Sequence, residues 1–264
     1  MSERIKKIFE TKGKKLVTFT TGGDPDLNTS LEILKTIINN GIDIIEIGMP
    51  FSDPMADGPT IQDSSLRSLK NGTKINDIFE IVINIRKFNN EIPIILMGYY
   101  NSIFNLGIDN FTTKCAETGV DGLIIVDLQP EEDLDLYTKS KEKNIDLIRL
   151  ITPTTDKKRL DTILSNASGF LYYVTVTGIT GQNSANIEDL KKSINSIKSS
   201  TKLPIVAGFG IKNRNDVEQI SLFTDGVVVG SSIVKIIKDN LSDKKKMISK
   251  IKIFTKDLKE GIKG

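Results

Sequence analysis

A TIM (β/α)8 barrel is the fold class this sequence predicts, on three observations. Eight short apolar runs alternate with stretches of helical periodicity, the count that closes a parallel α/β barrel. The length, 264 residues, leaves little over once the roughly 250 residues of such a barrel are counted. The third run, Ile92 to Met97, is almost unbroken in apolar residues, as a strand covered on both faces should be. A doubly wound open sheet would alternate as well, but Gly23-Asp24-Pro25-Asp26 after the first run is a turn, not a dinucleotide-binding loop. With no linker in the pattern, a single barrel domain over residues 1–264 is expected.

Residues 2 to 12 place Ile5, Ile8 and Phe9 on one face and predict an extra N-terminal helix. Leu16 to Thr20 is the first strand. Behind it, Ser30 to Asn39 carries Leu31, Leu34, Ile37 and Ile38 as an apolar stripe, with Asn28 or Thr29 as the cap. Ile42 to Ile47 is the second strand, followed by two helices, Ile61 to Leu69 and Ile75 to Phe88, one of them an insertion. Strands then fit Ile92 to Met97, Gly122 to Val126, Asp146 to Ile151, Phe170 to Val176, Pro204 to Ala207 and Gly226 to Val229. Helices fit Asp109 to Glu117, Glu131 to Lys143, Lys157 to Asn166, Ile187 to Lys198, Asn213 to Phe223 and Ile233 to Lys238. The lysine-rich tail, Leu241 to Lys263, has Met247, Ile251, Phe254 and Leu258 at three- and four-residue intervals and is expected to pack as a last outer helix. Acids interrupt its basic run, which argues against a membrane-surface helix.

With 36 basic and 34 acidic residues the formal charge is +2, which gives no reason to expect a nucleic-acid partner. The single cysteine, Cys115, permits no intrachain disulfide. No apolar run reaches the roughly 18 residues of a membrane span, and the first residues lack the apolar centre of a secretory signal. A cytoplasmic setting is expected, or a plastid one if the chain is encoded there. Histidine is absent. That removes Ser-His-Asp and Cys-His nucleophile systems and the usual zinc sites, so no metal is expected, and carboxylates, lysines and tyrosines remain for proton transfer.

The chemistry concentrates in residues 42 to 60. Glu46 sits near the end of the second strand among Ile44, Ile45 and Ile47, an expensive place for a carboxylate unless it is used or paired. The end of a barrel strand is a catalytic position, and apolar walls make an acid hold its proton more tightly, suiting it to proton exchange near neutrality. Asp57, before Gly58-Pro59, is a second candidate on a loop braced by Pro50, Pro54 and Pro59. Asp53 fits a turn cap equally well, Asp43 reads as a strand-end residue, and Asp127 closes the fourth strand facing the mouth, where it could hold a partner loop or orient a lid.

Glycine clusters end the sixth, seventh and eighth strands: Gly178-Ile179-Thr180-Gly181, Gly208-Phe209-Gly210 and Gly230-Ser231-Ser232. Each alone is an ordinary turn. Together, on one face of a barrel and beside the start of a short helix, they predict backbone amides that hold a phosphate. Lys202 precedes its strand and belongs to the other face, while Lys212 begins the next helix, so amides rather than a lysine are assigned to the anion. Phe19, Ile61, Met97, Tyr99, Ile124, Tyr172 and Phe209 fall in or near strand ends and are candidate walls of a flat apolar pocket. The strands contain no interior lysine for a Schiff base, which leaves acid–base lyase or isomerase chemistry.

Six segments then carry a resemblance: EIGMPFSDPMADGPTIQ at 46 to 62, MGYYNSIF at 97 to 104, DGLIIVDLQPEE at 121 to 132, GITG at 178 to 181, GFGI at 208 to 211 and VVVGSSIV at 227 to 234. Through them the chain resembles the tryptophan synthase alpha chain family over essentially its whole length. The resemblance implies retro-aldol cleavage of indole-3-glycerol phosphate to indole and glyceraldehyde 3-phosphate. Glu46 and Asp57 match the family's two catalytic carboxylates: the aspartate takes the hydrogen bond and proton of the indole nitrogen, and the glutamate protonates the ring carbon and assists loss of the glycerol hydroxyl proton. Tyr172, Phe19, Ile61, Met97, Ile124 and Phe209 are matched to the indole pocket, Gly181, Gly210, Gly230 and Ser231 to phosphate-binding positions, and Thr180 to a mobile lid loop. No cofactor is expected on this chain. A beta chain using pyridoxal phosphate is implied, in an alpha2beta2 tetramer contacted through Pro50 to Pro54, Asn101 and the segment around Gln129. Indole would reach that chain through a tunnel and condense with L-serine to give L-tryptophan.

Two departures from the family pattern stand out. Gln129 occupies a common proline position, with the proline displaced to Pro130, and Thr175 and Thr177 precede the lid where serine is common. Both question subunit coupling more than chemistry. A phosphosugar isomerase on the same scaffold, or a barrel kept only to support a partner subunit, are the alternatives; the presence of both acids counts against the second.

Overall fold

The computed structural model describes residues 1–174, 184–208 and 210–262. One parallel sheet holds nine strands: β1 (Lys15–Thr21), β2 (Ile44–Gly48), β3 (Ile94–Gly98), β4 (Gly122–Ile125), β5 (Asp146–Leu147), β6 (Arg149–Ile151), β7 (Leu171–Val174), β8 (Ile205–Gly208) and β9 (Gly226–Val229). Their order is β5-β4-β3-β2-β1-β9-β8-β7-β6. The two ends of that order are consecutive in the chain and separated by Ile148 alone. β5 pairs with β4, Gly122 opposite Asp146, and β6 pairs with β7, Arg149 opposite Leu171. The sheet therefore closes as a TIM barrel of eight staves, the fifth being β5 and β6 together. The expected fifth strand, Asp146 to Ile151, divides because its first half bonds one neighbour and its second half the other.

Around the barrel run α1 (Glu3–Glu10), α2 (Leu27–Asn39), α3 (Pro59–Lys70), α4 (Ile75–Phe88), α5 (Tyr100–Leu106), α6 (Ile108–Thr118), α7 (Leu134–Glu142), α8 (Lys157–Ser165), α9 (Ser184–Ser200), α10 (Arg214–Ser221), α11 (Ser231–Lys238) and α12 (Lys244–Gly261). The extra N-terminal helix and the insertion after β2 are present as expected. Three details differ from the sequence reading. α2 starts earlier because Asp26, not Asn28 or Thr29, is the cap, its carboxylate accepting the Thr29 amide at 2.9 Å. α5 was not anticipated: Tyr99 offers it no side-chain cap, and Asp127 at the end of the next stave accepts the Tyr100 N–H instead, at 2.8 Å. The helix expected over Glu131 to Lys143 divides into a 3-10 turn, Pro130–Glu132, and α7, because the fully buried carboxylate of Asp133 turns to Arg149 of β6. The tail helix α12 buries Met247, Ile251 and Leu258 against α2, α10 and α11, as its periodicity required.

The core has two parts. The larger lies between the staves and the helices. The smaller fills the barrel with side chains of the staves and their ends: Val17, Ile44, Ile95, Ile124, Ile148, Phe170, Tyr172, Val206 and Val228. Among them α1 inserts Ile5, with Ile8 and Phe9 beside it and the Phe9 and Phe170 rings 5.6 Å apart. Ser2 holds α1 in place: its hydroxyl donates to Asp121 at 2.6 Å and its amide to Asp146 at 2.8 Å.

On β1 the alternation sends Val17 and Phe19 inward and Thr18 and Thr20 outward, where both hydroxyls are buried without a hydrogen-bond partner among the described residues. A buried unsatisfied hydroxyl costs about 1–3 kcal/mol. Thr18→Val keeps the shape and removes that cost, so it is expected to raise the unfolding free energy by about 1 kcal/mol, read from the urea midpoint at unchanged slope.

Candidate active site

The stave ends and the loops that follow them enclose a cavity of about 580 Å³. Its walls come from every side of the barrel: Phe19 of β1, Glu46 of β2, Met97 of β3, Val126 after β4, Leu150 of β6 and Thr152 just after it, Tyr172 and Val174 of β7, Ile211 after β8, Val228 of β9, and the loop from Ala56 to Ile61.

Glu46 reaches this cavity because it occupies the inward register of β2, opposite Phe19 on β1 and Ile95 on β3. It is completely buried, and among the described residues neither carboxylate oxygen has a hydrogen-bond partner. Burial without compensation favours the neutral acid and pushes its pKa up to about 8. Tyr172 lies near both acids, whose charges add to burial in holding its phenol protonated. The Tyr172 hydroxyl packs against the bare Cα of Gly208, where a methyl group would fall 2.3 Å from it.

Asp57 is built differently. Its carboxylate accepts from the Tyr99 hydroxyl at 3.1 Å, and that hydroxyl in turn accepts the Ala56 amide at 3.0 Å. Tyr99 is buried and stacks on Phe51, ring centroids 5.2 Å apart, so the donor is held by the loop it supports. Gln62 of α3 adds a bond to the Asp57 carbonyl at 2.9 Å. Burial raises the Asp57 pKa, and the Tyr99 bond pulls it part of the way back. Asp53 accepts from the Ser52 hydroxyl beside it, as a turn residue does, and Asp43 pairs with Lys259 at 2.5 Å at the other end of its stave.

Across the cavity, Gly210 and Gly230 flank the first turn of α11, whose leading residue is Ser231. Gly210 has φ +75°, which favours glycine. A helix N-terminus presents unpaired amides and the positive end of its dipole, a standing anion site. Phe19 is wedged between two glycines, since added methyls would lie 2.6 Å from its ring at Gly48 and 3.1 Å from its Cβ at Gly230. Lys202 lines a separate cavity with Lys14 and Lys15, beneath the barrel, consistent with its exclusion from the anion end.

The structure thus brings together Glu46, Asp57, Phe19, Ile61, Met97, Tyr172, Gly210, Gly230 and Ser231 in one cavity. Ile124 is a correction. It packs in the barrel interior and does not line the cavity, whereas Val126, two residues on, does. Tyr99 is not an apolar wall but the hydrogen-bond donor to Asp57. Thr180, Gly181 and Phe209 lie outside the described residues. Among the described residues no group of three or more His, Cys, Asp or Glu side chains could hold a metal ion.

The model of the family described as "Tryptophan synthase alpha chain" matches residues 5–263. The chain belongs to that family. A tryptophan synthase alpha chain from Petrotoga mobilis is 44% identical over 97% of this chain and 98% of the relative. The crystal structure of tryptophan synthase subunit alpha from Legionella pneumophila superposes with a TM-score of 0.92 at 34% identity, covering 100% of this chain and 99% of that one. A chain of tryptophan synthase from Mycobacterium tuberculosis superposes at 0.89 with 28% identity, covering 99% of each.

Several walls of this alpha chain's pocket were absent from the sequence reading: Val126, Leu150, Thr152, Val174, Ile211 and Val228. The signal was present. Counting in steps of two from any inward residue, Ile124 to Val126, Ile148 to Leu150 to Thr152, Tyr172 to Val174, finds most of them.

Proposed function

We propose that Glu46 and Asp57 are the acid–base pair with which this chain cleaves indole-3-glycerol phosphate. As a member of its family the chain is the alpha subunit of tryptophan synthase, a lyase that releases indole by a retro-aldol reaction. The observation that carries the assignment is Glu46: a fully buried acid with both oxygens unpartnered among the described residues, facing a cavity whose far end is a helix N-terminus. A buried acid without a partner is costly, and a ligand in the cavity would supply the hydrogen bonds it lacks.

In the reading we favour, the phosphate rests on the amides around Gly210, Gly230 and Ser231. Glu46, neutral at pH 7, gives its proton to the ring carbon that bears the glycerol chain, while Asp57 takes the proton of the ring nitrogen. The resulting indolenine is the electron sink. Glu46, now ionised, accepts the proton of the adjacent hydroxyl as the carbon–carbon bond breaks. The bonding electrons return to the ring, Asp57 returns its proton to nitrogen, and both acids end as they began.

Tyr99 positions Asp57 in this scheme. Tyr99→Phe is expected to lower kcat roughly tenfold, in line with about 1.5 kcal/mol for a hydrogen bond to a charged group. Because that bond lowers the Asp57 pKa, its loss should also move the acidic limb of the pH–rate profile upward, which a purely structural effect would not do.

The family carries an expectation of a partner. A beta chain that binds pyridoxal phosphate would receive the indole through a tunnel and condense it with L-serine, in an alpha2beta2 tetramer. Exposed Met55 and Phe104, on the loop after β2 and on α5, together with Leu134 after Pro130, offer apolar contacts at the mouth of the barrel that support docking there. Release of indole from indole-3-glycerol phosphate, followed for the chain alone and with a beta chain, tests the whole reading. Turnover of an indole-free phosphosugar in its place would favour the isomerase alternative.

A further inference from the structure

The pocket's polar groups are unevenly placed. Around the barrel the staves run β9, β1, β2, β3, β4, fifth stave, β7, β8. The anion end lies at β8 and β9, and the two acids at β2 and the loop after it. A ligand holding its phosphate at the first and its ring nitrogen at the second therefore turns its carbocyclic ring toward β3, β4 and the fifth stave. The walls there are Met97, Val126, Leu150 and Thr152. Three are apolar, and Thr152 brings the one hydroxyl among them.

That hydroxyl is held but not used up. Thr152 Oγ1 lies 2.9 Å from Thr154 Oγ1 and 3.2 Å from Thr155 Oγ1, and Thr155 Oγ1 accepts the Thr152 amide at 3.0 Å. The three threonines of the Thr152-Pro153-Thr154-Thr155 turn thus fix the orientation of one another. A threonine hydroxyl has one donor and two acceptor positions, so its two contacts among the described residues leave one position for a ligand.

We propose that Thr152 is a specificity-determining residue, which lets this site take indole rings bearing a hydrogen-bonding substituent, a hydroxyl or amino group, on the carbocyclic ring. The inference rests on the functional reading above and extends it from the reacting atoms to the far edge of the ring. Against a wholly apolar wall such a substituent would lose its water without replacement. Against Thr152 it keeps one partner.

The test uses the intact chain in the reverse direction, condensing glyceraldehyde 3-phosphate with indole or with each of the four indoles carrying one hydroxyl on the carbocycle. For each, kcat/KM relative to unsubstituted indole is compared among the wild type, Thr152→Val and Thr152→Ser. For at least one isomer Thr152→Val is expected to lower that ratio about fivefold, the value of one neutral hydrogen bond, with the loss in KM, while Thr152→Ser retains it. Unchanged ratios for all four isomers in Thr152→Val, or equal losses in the serine and valine variants, would overturn the proposal. Failure of the wild type to condense indole itself would instead overturn the functional reading, and this inference with it.

Discussion

Glu46→Gln is expected to lower kcat for indole release by about three orders of magnitude and, in the same molecule, to raise the unfolding free energy at pH 7 by up to about 3 kcal/mol. The two effects have one cause. The carboxyl group titrates at about 8 in the folded chain against an ordinary value of 4.5. Below pH 4.5 it is neutral in both states and costs the fold nothing through ionisation. Between 4.5 and 8 the unfolded chain sheds the proton and the folded chain keeps it, so stability falls as pH rises; above about 8 the loss is complete. Glutamine cannot ionise. Its stabilising increment should therefore be near zero at pH 4, grow up to pH 8, and then level off, in urea unfolding at a series of pH values. An increment that does not change with pH would show that the acid is not buried as described. The wild-type kcat/KM should in turn decline as pH rises through about 8, where the free enzyme loses its proton donor.

Asp57→Asn is expected to cost about two to three orders of magnitude in kcat, with a smaller change in KM, because the amide keeps the shape but cannot accept the ring-nitrogen proton. The acidic limb offers a second measurement. Burial sets the Asp57 pKa above the usual carboxylate range, so wild-type activity should fail on the acid side at a higher pH than an exposed aspartate would give. That limb should vanish from the residual activity of the variant. Its persistence would assign it to another group.

The sequence made the barrel legible because its information is periodic and local. Alternation and length set the staves, and the surroundings of Glu46, three isoleucines within two residues, already marked it as a costly acid. What escaped the sequence depends on contacts between separate staves. Asp127 caps α5 from the next stave, and the buried Arg149–Asp133 pair that interrupts the helix before α7 joins residues 16 positions apart. Tyr99 was taken for a wall since an aromatic ring beside a pocket usually is one, whereas the destination of its hydroxyl became visible only with Asp57 beside it. Val126 rather than Ile124 lines the cavity for a related reason: the direction of a side chain follows from alternation, but its depth depends on the stagger between neighbouring staves.

The apolar side chains that fill the barrel, with Ile5 of α1 packed among them, make the cavity a cup rather than a pipe. Substrate and both products share a single rim. Indole cannot drain through the base, and whatever binds over the rim controls its escape to solvent, so a second protein needs only to sit on that opening to intercept the product.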